Sequence, residues 1–240
     1  MKEKVQAVID ILKLRYPDAL CALHYKKDYE LMISVRLAAQ CTDARVNLVT
    51  PALFAAYPSL EALANAEVAD VENYIHSCGF HHQKAKDIVA ACRMLIDEYG
   101  GKVPDTMEKL LRLPGVGRKT ANLLLGDLYG VPGSVVCDTH CMRICERLGL
   151  SKGREPEKVE QQLRKILPPE ESSDFCGISS FIPCLPLKEM ISSLSFSARC
   201  FNTSDNCEPR NEDIIAGGAS FAPKRWALSA LIMEALIKPL

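Results

Sequence analysis

The chain has 240 residues, 48% hydrophobic and 25% charged, with a formal net charge of −1. This is the balance of a globular protein with one large domain or two small ones, and it gives no chain-wide basic signature. A membrane span is excluded for the longest late apolar run, residues 226–237, which is short and contains Glu234.

The first sixteen residues carry charges throughout and lack the apolar segment of a secretory leader. The eleven cysteines are scattered along the chain. Both features predict reduced thiols and a cytoplasmic protein, nucleoid-associated in a bacterium.

The pattern is helical almost throughout. Val5, Val8, Ile9 and Leu12 share one apolar face, and Leu31, Met32, Val35 and Ala39 share another. Ile88, Cys92, Leu95, Ile96 and Tyr99 form a third, stopped by Gly100-Gly101. Asp105 or Thr106 can cap a helix carrying Leu110 and Leu111. Leu123, Leu124 and Leu128 continue a helix after residue 118, and only residues 134–136 read as extended. Asp138 or Thr139 can cap a helix through Leu148, ended by Gly149. A further helix is predicted over 155–167, closed by Pro168-Pro169. Residues 177–218 are rich in Ser, Pro, Gly and Asn and read as irregular, with a last apolar helix over 225–237.

Charge is uneven along this frame. Residues 109–165 hold eleven Lys/Arg against six Asp/Glu, a surplus of five positive charges, so the remainder carries −6. A local basic face suits a nucleic-acid partner, although a solvated helical surface has the same composition.

Within that basic stretch, residues 113–121 read Leu-Pro-Gly-Val-Gly-Arg-Lys-Thr-Ala, a Gly-rich turn between two apolar helical runs. Alone, Pro-Gly-Val-Gly is also a plain inter-helix turn. In the longer run, Gly115 and Gly117 allow the backbone amides to approach a phosphate, and Arg118 opens a helix whose positive end favours an anion.

Lys119 falls in the first turn of that helix. It suits two roles, a phosphate-contacting surface lysine or a nucleophile. The second needs the free amine, which the positive helix end, Arg118 and partial burial would favour. Such an amine attacks the anomeric carbon of a deoxynucleotide to give a Schiff base. Asp138, in Cys-Asp-Thr-His, can be a simple N-cap. The same carboxylate can also stabilise the cationic sugar that develops as a base departs. Cys137, Cys141 and Cys145 lie four apart beside His140; such a stripe is a metal site or, more commonly, buried packing.

These residues resemble the endonuclease III family of helix–hairpin–helix DNA glycosylase/abasic-site lyases. The resemblance rests on Leu-Ala-Ala-Gln-Cys-Thr-Asp at 37–43, Gly79-Phe80 with Lys84-Ala85, residues 113–121, and Val-Cys-Asp-Thr-His at 136–140. It spans residues 5 to 176. It implies an all-α, two-lobed fold whose second lobe has a divergent C-terminal part. One lobe comprises 1–20 with 133–176 and carries Asp138; the other comprises 21–132 and carries the hairpin; 177–240 is a divergent tail.

The family implies roles for individual residues. Lys119 matches the Schiff-base nucleophile and Asp138 the catalytic aspartate. Gln40 matches the residue that enters the gap left by a flipped base, and Phe80 falls where an apolar wedge, usually leucine, is found. Gly115, Gly117 and Arg118 match the phosphate-gripping hairpin, and His140 a supporting or phosphate-contacting position. The implied activity is bifunctional: oxidised pyrimidines are removed from double-stranded DNA, and the strand is cut by β-elimination, by a monomer.

The family's four-cysteine pattern, C-x6-C-x2-C-x5-C, holds a 4Fe–4S cluster. The late cysteines here are 176, 184, 200 and 207. Cys200 and Cys207 match only in part, so neither a cluster nor a metal is expected. The altered tail also predicts that Ile144, Leu148, Leu163 and Ile166 are poorly covered, with lower stability. Two other functions follow from these departures: a DNA-binding module made inactive by a defective tail, or a related adenine-mismatch glycosylase. The second is disfavoured by Lys119 and by the lack of a glutamate near 37–42.

Overall fold

The computed structural model describes residues 2–15 and 21–181. Eleven α-helices and one 3-10 turn make up this part, with no strand among the described residues. The helices are α1 (Lys2–Arg15), α2 (Asp28–Ala38), α3 (Asp43–Ala56), α4 (Leu60–Ala64), α5 (Val68–Ile75) and α6 (His81–Tyr99). They are followed by α7 (Met107–Leu110), α8 (Arg118–Tyr129), α9 (Thr139–Arg147), α10 (Pro156–Ile166) and, after the turn Pro169–Glu171, α11 (Ser172–Phe181).

Local chemistry sets many of these boundaries. Thr42 and Ser59 cap α3 and α4 by accepting from Arg45 N (3.3 Å) and Ala62 N (3.1 Å). The Glu30 side chain reaches back to Lys26 N at 2.7 Å and stabilises the start of α2. Ala39 is the C-cap of α2 and is exposed, so it leaves the apolar face predicted for it. Gly100 closes α6 in the left-handed region, with its N–H on Leu95 O. Residues 134–138 are non-helical, as the extended reading of 134–136 predicts.

The buried side chains form two clusters. The larger is built around α6, which packs on α2, α4 and α5, and includes Leu31, Leu53, Leu63, Ile88 and Leu95. The smaller joins α1 to α9, α10 and α11 through Val5, Ile9, Cys141, Leu163 and Phe175. Leu123, on α8, packs against both. The chain therefore passes from one core to the other along the helix that begins with Arg118 and Lys119.

Two expectations for the second core are corrected. Ile144 and Leu163 are buried, and Leu148 and Ile166 pack against the cluster. Their cover comes from residues such as Val8 and Phe175 on α1 and α11. Helix also continues through Phe181, past the point where the sequence texture changes. Ser179 Oγ turns back onto Phe175 O at 2.7 Å, a helix-compatible bond for a serine. The predicted irregular stretch beyond 181, the helix over 225–237 and Cys184, Cys200 and Cys207 lie outside the described residues.

Candidate active site

The hairpin between α7 and α8 is a tight turn, with Val116 N on Leu113 O at 3.1 Å. Gly115 adopts φ +75°, and a Cβ there would lie 2.5 Å from Arg36 Nε and 2.9 Å from Asp87 Oδ2. Those two atoms belong to an ion pair beneath the turn, with Arg36 donating from Nε (2.9 Å) and from its terminal nitrogen (2.6 Å). Gly115 is thus fixed both by its dihedral and by the groups it rests on. Gly117 is different: it is the N-cap of α8 with φ −97°, and a Cβ there would meet nothing within 4 Å. Its open side faces outward, where the first-turn amides of α8 have no intrahelical partners.

Arg118 is committed inside the protein. Its guanidinium makes a two-pronged pair with Glu160 of α10, at 2.6 and 2.9 Å, and Arg164 completes the carboxylate's partners at 3.0 Å. Glu160 is 2% exposed. The arrangement ties the hairpin helix to the second core and holds Arg118 as always charged. It gives Arg118 a structural link to α10 in addition to its place in the hairpin.

Lys119 stands one residue further on. It is exposed, which corrects the expectation of partial burial: the first turn of α8 lies at the surface after two glycines, with no side chain from the hairpin to cover it. It lines a cleft of about 350 Å³ together with Asn122, Cys137 and Glu157. Asp43, at the start of α3, lies within electrostatic reach of the same amine. Asp43 is exposed at the surface, but partial loss of its water shell lifts its carboxyl above its usual value, and the Lys119 charge opposes that rise. Asp43 was visible in the 37–43 motif, but its proximity to Lys119 depends on the approach of α3 to α8 and has no signal in the spacing.

Asp138 caps α9, accepting from Cys141 N at 2.7 Å. Half-buried, it follows Cys137, which lines the Lys119 cleft. His140 is held through Nδ1 by Arg143 at 3.2 Å. Cys137, Cys141 and Cys145 are all buried in the second core, with Cys141 and Cys145 Sγ 3.9 Å apart. Among the described residues no group of three or more His, Cys, Asp or Glu side chains is arranged to hold a metal ion. Cys176 is fully buried, and its thiol engages Cys141.

Gln40 and Phe80 share an unusual backbone. They have φ +55° and +58°, the only non-glycine positive values among the described residues. Strain of this kind costs on the order of 1–3 kcal/mol and concentrates at functional sites. Phe80 is 68% exposed despite its apolar ring. The two turns abut, since a Cβ on Gly79 would lie 3.6 Å from Gln40 O.

Residues 33–169 match the HhH-GPD superfamily base excision DNA repair protein model. The chain is 45% identical over 174 residues to endonuclease III of Synechocystis sp., covering 72% of this chain and 80% of that protein. It is 36% identical over 173 residues to endonuclease III of Escherichia coli K12, covering 72% and 82%. Among solved structures, a trapped endonuclease III–DNA covalent intermediate superposes with a TM-score of 0.71 at 40% identity, covering 75% of this chain and 85% of that one. A non-covalent endonuclease III–DNA complex gives 0.72 at 36% identity, covering 83% and 99%. The chain belongs to the endonuclease III family of HhH-GPD base excision DNA repair proteins.

Proposed function

We propose that this protein is a bifunctional DNA glycosylase and abasic-site lyase that removes oxidised pyrimidines from duplex DNA. The observation that carries the reading is the placement of Lys119 at the exposed start of α8, directly after the Gly115–Gly117 turn and on a cleft that Cys137, the residue before Asp138, also lines. The relatives are named as DNA-bound and covalently trapped enzymes, which supports DNA as the partner here.

The turn amides take a backbone phosphate, a sequence-independent grip. A stacked nucleotide hides its anomeric carbon, so the target leaves the helix, at roughly a few kcal/mol and less for a damaged base. Gln40 and Phe80, held out by their left-handed turns, fill the gap. Deprotonated Lys119 attacks the anomeric carbon as the bond to the base breaks. Asp138 stabilises the positive charge that develops on the sugar. Asp43, within electrostatic reach of Lys119, is the proton acceptor we assign to that amine. The sugar's C1′–O4′ bond then opens to give the imine, which loses a proton from C2′, and the 3′ phosphate departs as the C3′–O bond breaks.

A duplex bearing one oxidised pyrimidine tests the assignment. Base release coupled to a strand cut 3′ to the lesion supports it. Binding with an intact strand would indicate a non-catalytic module, and release of mismatched adenine would indicate the sister activity.

A further inference from the structure

We propose that Cys41 and Cys78 form a peroxide-oxidisable dithiol that, when closed to a disulfide, ties together the two turns carrying Gln40 and Phe80. Cys41 directly follows Gln40, and Cys78 precedes Gly79-Phe80. The missing side chain at Gly79 lets the Gln40 carbonyl approach. Each cysteine is fixed by its own turn, Cys41 N on Ala38 O at 3.0 Å and Cys78 N on Ile75 O at 2.8 Å. The two thiols lie close enough to influence one another.

Their surroundings give the pair unequal roles. Cys41 is half-buried and open to a small oxidant, whereas Cys78 is completely buried. Lys84 is 1% exposed, with Nζ donating to Leu37 O at 2.7 Å, and its charge bears on both sulfurs. Burial keeps the Cys78 thiol protonated. Cys41 is therefore the attacking group and Cys78 the resolving one.

The oxidant is a hydroperoxide. The Cys41 thiolate attacks one peroxide oxygen, the O–O bond breaks, and the other oxygen leaves as water after taking a proton, giving a sulfenic acid. The Cys78 sulfur attacks the sulfenic sulfur, the S–O bond breaks, and a second water carries off the Cys78 proton. Two thiols are oxidised, one peroxide is reduced, and no further reactant is needed.

The site stands on its own geometry; its effect on DNA rests on Gln40 and Phe80 acting in the helix. The test treats the full chain with hydrogen peroxide, alkylates free thiols after denaturation and maps peptides by mass spectrometry. The expected product is a Cys41–Cys78 linked peptide, lighter by two hydrogens, reversed by dithiothreitol and absent in Cys41→Ser. Prior formation of a Cys141–Cys145 bond, or sulfinic acid at Cys41 with Cys78 still alkylated, overturns the proposal.

In parallel, oxidised and reduced protein are compared on a duplex with an abasic-site analogue. A several-fold loss of affinity is expected on oxidation, recovered on reduction, with Cys41→Ser insensitive to peroxide. Linkage without that loss upholds the dithiol and contradicts the assignment of Gln40 and Phe80 to the DNA gap. Loss of affinity without linkage contradicts the dithiol.

Discussion

The guanidinium of Arg118 grips the carboxylate of Glu160 through two hydrogen bonds, at 2.6 and 2.9 Å, and this pair bolts the hairpin helix to the second core. Glu160 is buried, while Arg118 remains 40% exposed on its side chain. Arg118→Ala leaves Glu160 with Arg164 alone. The expected cost is about 1–3 kcal/mol, kept below the value for a wholly buried pair by solvent around Arg118. Chemical denaturation reads the cost. The slope of log affinity against log salt is expected to change little, because the guanidinium is engaged by Glu160.

The two hairpin glycines give opposite outcomes. Gly115→Ala forces a Cβ into the Arg36–Asp87 pair at a left-handed position, so a loss of about 2–4 kcal/mol is expected. Gly117→Ala has a permitted dihedral and empty space around it, so the fold survives. Its methyl group instead intrudes on an approaching phosphate, and DNA affinity falls. Melting curves and binding isotherms on the two variants separate these effects.

Asp43→Asn removes a carboxyl within electrostatic reach of Lys119. Single-turnover imine formation is expected to slow about a hundredfold, within the usual range for a lost proton acceptor, with DNA affinity little changed. Equal rates in the variant and the parent contradict the assignment.

Alkaline pH weakens the fold through its buried thiols. Burial pushes Cys92 up to about 12, whereas an unfolded cysteine ionises near ~8.5. Between those values the unfolded state binds fewer protons than the folded state, so stability falls as pH rises. The slope for one such thiol approaches about 1.4 kcal/mol per pH unit. Cys92→Ala is expected to flatten the alkaline slope by that amount in denaturation curves taken across the range.

Much of this architecture is legible in the sequence because it is local. Gly100 and Asp138 terminate or cap their helices through bonds to residues a few positions away. The apolar faces of Val5–Leu12 and Ile88–Leu95 likewise report a helical period. Lys119 and the hairpin are legible as a motif.

What was hidden depends on distant approach. Arg36 meets Asp87 across 51 positions, and Arg118 meets Glu160 across 42. Neither pairing leaves a periodic trace. The sequence showed Arg118 only as part of the hairpin motif, with no sign of Glu160 beside it. Lys84 read as part of a family motif, and nothing in its neighbours foretold an amine buried beside two thiols. The cover over Ile144 and Leu163 was missed because it comes from opposite ends of the described chain, α1 and α11.

Borohydride trapping on a duplex with a single abasic site tests the central assignment most directly. A covalent protein–DNA adduct that maps to Lys119, and disappears in Lys119→Ala while binding persists, is the predicted result. An adduct at another residue, or an undiminished adduct in Lys119→Ala, would contradict it.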